Sequence, residues 1–144
     1  MMTVKVVCVG NLKEAYWRQA CAEYEKRLSA FCKFRVVELP ESTLATEKDV
    51  ILKECEGYTV ALCVEGKPMT SEGLAEKIAA VSFQSSKITF VIGSSCGLDP
   101  AVKSRADLRL SFSSFTFPHQ MMRVILLEQI YRAFTIQRNM TYHK

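Results

Sequence analysis

The sequence predicts a single-domain α/β fold, a mainly parallel sheet flanked by helices, and three observations carry that prediction. Four short runs, Thr3–Gly10, Cys32–Leu39, Thr59–Val64 and Lys87–Ile92, are rich in β-branched and apolar residues, the pattern of strands, and the first reads as buried on both faces. Segments of helical periodicity separate them, and strand–helix alternation of this kind builds parallel sheets. The chain has 144 residues, 49% hydrophobic and 24% charged, enough for one packed core.

Taken in order, the first strand ends at Gly10 and a helix follows from about Glu14 to Ser29. Its Tyr16, Ala20, Tyr24 and Leu28 recur every four residues and form one apolar stripe. The second strand stops at Pro40, and Glu41 to Ala45 is a loop. Thr46-x-x-Asp49 then resembles a capping box for a short helix ending near Glu56. After the third strand, Glu65-Gly66-Lys67-Pro68 reads as a turn, and Leu74, Ile78 and Val81 mark a helix from Ser71 to about Phe83. Asp99-Pro100, beyond the fourth strand, is a helix start, with Asp at the N-cap and Pro at the first helical position. Leu108–Phe112 is a short fifth strand, and the last helix runs from Pro118 to about Asn139. Eleven of the sixteen residues from Met121 to Ile136 are apolar or aromatic, too many for one stripe. One sheet covers only one side of such a helix, so a second copy of the chain is expected to cover another, in a two-fold homodimer. The alternative is a central helix in a monomer.

No apolar run approaches the roughly 20 residues of a membrane span, and the N-terminus enters a strand pattern directly, so a cytoplasmic protein is expected. None of the six cysteines forms a CxxC pair and there are two histidines, so zinc-ligand spacing is missing and no metal is expected. Most of the cysteines fall inside strands or helices as small hydrophobes; Cys96 lies in a loop. The net charge is +4, unevenly spread. Residues 101–144 carry seven Lys and Arg against Asp107 and Glu128, while the first hundred residues are nearly balanced. A basic last third points to an anionic partner, of which nucleic acid is the commonest, or to solubilising surface charge.

Two loops have unusual composition, and both would leave the carboxyl ends of strands, where open α/β sheets bind ligands. Gly93-Ser94-Ser95-Cys96-Gly97 lets a ligand approach the backbone closely, without a Gly-Lys-Ser/Thr phosphate loop or a GxGxxG pattern. In Phe112-Ser113-Ser114-Phe115-Thr116-Phe117 three aromatics alternate with hydroxyls, suited to packing a flat base and reading its edges. Each is alone as consistent with a plain turn or a strand end. His119 and Arg123, spaced i, i+4, share a face near the start of the last helix. A histidine there serves as a general base or bonds the loop. Tyr142-His143-Lys144 is a polar, aromatic tail, suited to RNA contact or to fraying.

The segments VIGSSCGL and LSFSSFTFPHQMMRVILLEQIYRAFTIQRNMTYHK resemble the RlmH family of SPOUT-class methyltransferases, and VKVVCVGNLKEAYWRQACAEYEKRL and ALCVEGKPMTSEGLA extend the resemblance to essentially the whole chain. The resemblance implies a SPOUT-type α/β knot, a C-terminal trefoil, in a homodimer. It implies N3-methylation of a pseudouridine in helix 69 of large-subunit (23S) ribosomal RNA, on assembled ribosomes, with S-adenosylmethionine as donor. Leu62 and Gly93 match cofactor-contacting positions, and Phe112, Ser113, Ser114, Phe115, Thr116 and Phe117 match the loop that wraps the cofactor. His119, Arg123, Tyr142 and His143 match positions near the substrate, with a histidine assisting the proton and Arg123 holding phosphate or ribose. The family usually has two adjacent glycines where this chain has Gly93-Ser94, and a positive φ at the second position would strain Ser94. The connection after the second strand is also shorter than is usual. A different class of function, a non-catalytic ribosome-binding module using the basic last third, would bind RNA in a salt-dependent way without binding S-adenosylmethionine.

Overall fold

The computed structural model describes residues 1–144. Five strands, β1 (Thr3–Val9), β2 (Lys33–Leu39), β3 (Tyr58–Pro68), β4 (Lys87–Ile92) and β5 (Leu108–Ser111), alternate with five helices. These are α1 (Ala15–Leu28), α2 (Leu44–Glu54), α3 (Ser71–Ser82), α4 (Pro100–Arg105) and α5 (His119–Gln137). The sheet order is β2-β1-β4-β3-β5 and every neighbouring pair is parallel. All the loops that follow strands therefore emerge at one edge.

Period-two alternation along the strands divides the core between two faces. Val4, Val6 and Cys8 of β1 and Ile88, Phe90 and Ile92 of β4 point to one side, where they meet Leu28 of α1, Ile78 of α3 and Leu126, Leu127 and Ile130 of α5. Val7 and Val9 of β1 and Val91 of β4 point to the other, against Ile51 of α2 and Val102 of α4. The inner strands β1 and β4 read as near-continuous apolar runs because both faces are covered, whereas the edge strand β2 has no fully buried residue. Lys5 is the exception: its ammonium lies among the shorter helices, bonded to the Glu54 carbonyl and carboxylate, each at 2.9 Å.

Two boundaries differ from the sequence reading. The cap of α2 is Thr43, whose Oγ1 accepts from the Thr46 N–H at 3.2 Å, so the helix starts earlier than the Thr46-x-x-Asp49 pattern implied. Thr46 occupies the third helical position. The predicted turn Glu65–Pro68 is instead the continuation of β3, which pairs with β5 through Leu62, shifts register, and pairs again at Lys67 and Pro68. Gly and Pro mark an irregularity here, as they do on edge or bulged strands. The Asp99 cap is as expected: its carboxylate accepts from the Ala101 N–H at 2.8 Å, with Pro100 next.

Cys8, Cys21 and Cys32 are buried, Cys55 and Cys63 half-buried, and Cys96 exposed; all six are free thiols. No helix is long and apolar enough to cross a membrane.

Candidate active site

A cavity of about 600 Å³ opens at the carboxyl edge of the sheet. Its floor is the ends of β3, β4 and β5, with Leu62, Ile92 and Leu110. One wall is the loop from Gly93 to Leu98, and the other runs from Phe112 to the first turns of α5, as far as Met122. The two loops singled out in the sequence thus face each other across one space. Of the eight residues assigned to a cofactor, Leu62, Gly93, Phe112, Ser113, Phe115, Thr116 and Phe117 line the cavity, and Ser114 does not.

The Gly93–Gly97 turn is closed by a Gly97 N–H bond to the Ser94 carbonyl at 2.9 Å and by an isolated bridge between the same residues. Its two glycines answer different demands. A Cβ on Gly93 would stand 2.4 Å from the Gly97 carbonyl oxygen, an impossible contact. Gly97 has φ +84°, and a Cβ there would meet nothing within 4 Å, so conformation and not crowding requires glycine. Ser94 is not among the residues of positive φ. The strain considered for it from sequence does not arise, because the left-handed residue of this turn is Gly97.

His119 is the one candidate catalytic side chain on the cavity lining. It opens α5, and its Nε2 stands 3.8 Å from Glu41 Oε1, on the loop that follows β2. Glu41 was not singled out in the sequence; it reaches the site only because β2 ends beside β1 at the same sheet edge. At the rim, Lys103 is paired with Glu65, and that hydrogen bond holds the Glu65 carboxyl below its ordinary range.

Arg123 stands one turn after His119 but does not line the cavity. Its side chain is 5% exposed, one guanidinium nitrogen donating to Glu38 and the other to the Gly10 carbonyl at 3.0 Å. The sequence reading set this residue on phosphate or ribose; the structure uses its donors to tie α5 to the ends of β1 and β2. The same seam is closed by the Lys13 N–H, which donates to the Gln120 side chain at 3.0 Å.

Tyr142 and His143 are likewise outside the cavity lining, and the tail is not frayed. The Tyr142 ring packs edge-on against Tyr131, centroids 4.8 Å apart, and its hydroxyl donates to Glu128 at 2.8 Å. Burial, then the Glu128 hydrogen bond, pushes its phenol above the ordinary range. Arg132 lies over the ring and pairs with Glu128. His143 sits between Arg132, 3.0 Å from Nδ1, and Glu72, 2.9 Å from Nε2. Arginine can only donate, so Nδ1 accepts and Nε2 carries the proton toward Glu72. A second, smaller cavity of about 210 Å³ lies behind Phe112, between the start of α3 and Ile125 and Gln129 of α5.

A parallel α/β sheet with a glycine turn and an aromatic, hydroxyl-rich loop facing each other across a cavity at its carboxyl edge defines an α/β protein whose candidate site lies where open sheets of this class bind small ligands. Comparison with known proteins narrows the class. A family profile described as "Predicted SPOUT methyltransferase" matches residues 2–143. The protein named ribosomal RNA large subunit methyltransferase H of Levilactobacillus brevis is 46% identical over 159 aligned positions, covering 99% of this chain and all of that one. Its namesakes in Limosilactobacillus reuteri and Streptococcus equi subsp. zooepidemicus are 47% and 44% identical over the same span. Among solved structures, a probable methylase family protein from Haemophilus influenzae superposes with a TM-score of 0.60 at 16% identity, covering 98% of this chain and 70% of that one. TrmJ from Z. mobilis gives 0.51 at 12%, covering 92% and 70%, so these two share the fold. The chain belongs to the SPOUT methyltransferase family, among the relatives of ribosomal RNA large subunit methyltransferase H.

Proposed function

We propose that this chain methylates large-subunit ribosomal RNA, taking the methyl group from S-adenosylmethionine and placing it on N3 of a pseudouridine in helix 69 of the assembled ribosome. The observation that carries the reading is the cavity itself, about 600 Å³ between the two loops, within the range of cofactor sites. Its chemistry fits the donor. Adenine, ribose and an amino acid carry no phosphate, and the lining offers aromatic and aliphatic walls, hydroxyls and close backbone rather than a lysine cradle. Gly93, where no Cβ is tolerated, supplies the close approach. Leu62, Gly93 and the residues from Phe112 to Phe117 would hold the cofactor.

The bound cofactor supplies an activated methyl on a sulfonium. The protein's share is alignment and proton removal. The two loops, facing each other across the cavity, would hold and orient the donor. His119, on the cavity wall with Glu41 3.8 Å from its Nε2, is the group best situated to accept the N3 proton. Arg123 acts at one remove, by holding the turn of helix that carries His119. Tyr142 and His143, tied to Glu128, Arg132 and Glu72 of their own chain, reach substrate only by exchanging those partners.

The working unit is a homodimer through α5, in the cytoplasm where ribosomes are. Met121 and Ile125 of that helix stay half-exposed after α1 and α3 have packed against it, which supports a second copy there. Methyl transfer to ribosomes that have or lack the pseudouridine is the direct test. Equal transfer to both refutes the base assignment. Calorimetric titration that finds no S-adenosylmethionine binding refutes the enzyme and leaves the RNA-binding module. Light scattering of Ile125→Glu, expected to halve the mass, tests the dimer.

A further inference from the structure

Glu47 is the only acidic side chain buried in the fold, 2% exposed in the first turn of α2. It takes no part in the chemistry described above. Its two oxygens are engaged by neutral donors: the Ser42 N–H at 2.8 Å on Oε2, and the Ser94 hydroxyl at 3.3 Å on Oε1. The helix N-terminus accounts for a carboxylate at this position, and the Ser42 bond closes the α2 cap. Neither accounts for its second oxygen being turned toward the Gly93–Gly97 loop.

That second contact runs on into the loop. A serine oxygen donates once and accepts as well. Ser94 Oγ gives its proton to Glu47 and accepts the Cys96 N–H at 3.3 Å, while the Ser94 carbonyl accepts the Gly97 N–H. Glu47, Ser94 and Cys96 therefore form a short relay from the core of α2 into the turn that walls the cavity. Without it the turn between β4 and α4 keeps the Gly97 N–H bond to the Ser94 carbonyl as its one internal hydrogen bond, with Gly97 in the left-handed region.

We infer that Glu47 is a positioning residue for the ligand cavity: through the Ser94 hydroxyl it holds the Gly93–Gly97 turn in its ligand-binding shape. The inference rests on the reading of this cavity as the S-adenosylmethionine site. A serine at position 94 is then a working part of this loop, matched to an acid on a different helix. A loop left free must be ordered when the ligand arrives, and that cost appears as lost affinity.

The experiment is calorimetric titration of S-adenosylhomocysteine into the full-length protein, its Ser94→Ala, Glu47→Ala and Glu47→Gln variants, and the double alanine variant, each also melted without ligand. Ser94→Ala removes an exposed-edge hydroxyl and is expected to keep the fold while weakening binding about tenfold, the worth of one lost hydrogen bond. Glu47→Gln can still accept from Ser42 and donate to Ser94, so it restores binding to within about twofold. The double variant is expected to bind no worse than Glu47→Ala alone, because both substitutions cut one relay. If Ser94→Ala binds as tightly as the unaltered protein, or if the two alanine effects add, the inference is wrong and Glu47 serves only the α2 cap. Failure of the unaltered protein itself to bind would overturn the reading of the cavity instead.

Discussion

Replacing Arg123 by alanine separates two accounts of this residue, a ligand for RNA and a strut between α5 and the sheet. The structure sets the size of the expected loss. The Gly10 carbonyl loses its donor, worth about 1 kcal/mol. Breaking a fully buried ion pair costs about 3–5 kcal/mol, but the Glu38 side chain is 44% exposed and water recovers much of its share. About 2–3 kcal/mol in total is the expectation. A chain of 144 residues unfolds with an entropy near 0.3 kcal/mol/K, so the melting temperature should fall by about 7–10 °C. Arg123→Lys keeps the charge but cannot serve Glu38 and Gly10 together, and should lose about half as much. Thermal denaturation by circular dichroism reads both. If Arg123→Ala melts with the unaltered protein while RNA affinity falls and its salt dependence flattens, the guanidinium is reaching phosphate and the strut is refuted.

Gly93→Ala should cost about 1–3 kcal/mol in stability, since its Cβ drives against the Gly97 carbonyl, and should abolish titratable cofactor binding even in the folded fraction. Tyr142→Phe removes the hydroxyl bond to Glu128 and should lower stability by about 1 kcal/mol, read as a urea-midpoint shift. Burial raises the thiols of Cys8 to about 12, Cys21 to about 11 and Cys32 to about 12 from an ordinary 9.0. The native state then holds protons that the unfolded state releases, so their contribution is complete below pH 9 and is lost as pH rises toward 11–12. Urea titrations from pH 8 to 10.5 should show the decline, up to about 1.4 kcal/mol per pH unit for each thiol, and Cys8→Ala with Cys32→Ala should flatten it.

Much of this fold is legible because its inner strands β1 and β4 are buried on both faces and most of its helices on one, which leaves the periodicities clean. The exceptions have local causes. In one dimension Thr46, followed by Asp49 at the capping-box spacing, has the stronger cap pattern; only the hydroxyl geometry identifies Thr43 as the cap of α2. Glu65-Gly66-Lys67-Pro68 has turn chemistry and is nevertheless strand, because this end of β3 runs beyond its pairing with β4 and meets β5 across a register shift, where both breakers are tolerated. Within the site, the loops could be read from composition, since small residues and alternating aromatics are visible in one dimension. Glu41 and Glu47 could not. They lie far in sequence from the groups they approach, His119 and Ser94, and nothing in the surrounding sequence distinguishes the exposed Glu41 of a loop from the buried Glu47 of α2.

The last helix shows why apolar content alone overstates what a helix must bury against. Its inner face, Leu126, Leu127, Ile130, Ala133 and Phe134, is satisfied by the sheet and by α1 and α3. Tyr131, counted among the apolar residues, faces Phe31 and Tyr24 on one side and holds the C-terminal tail through Tyr142 on the other. With Met122 lining the ligand cavity, the excess that a second copy would have to cover therefore narrows to Met121 and Ile125, both in the first two turns. Those same turns carry His119 at the cavity wall and the Arg123 strut. A dimer seam placed there would run beside the ligand cavity. Association and cofactor binding should therefore be linked, and weakening the seam at Ile125 should weaken ligand affinity in the same variant.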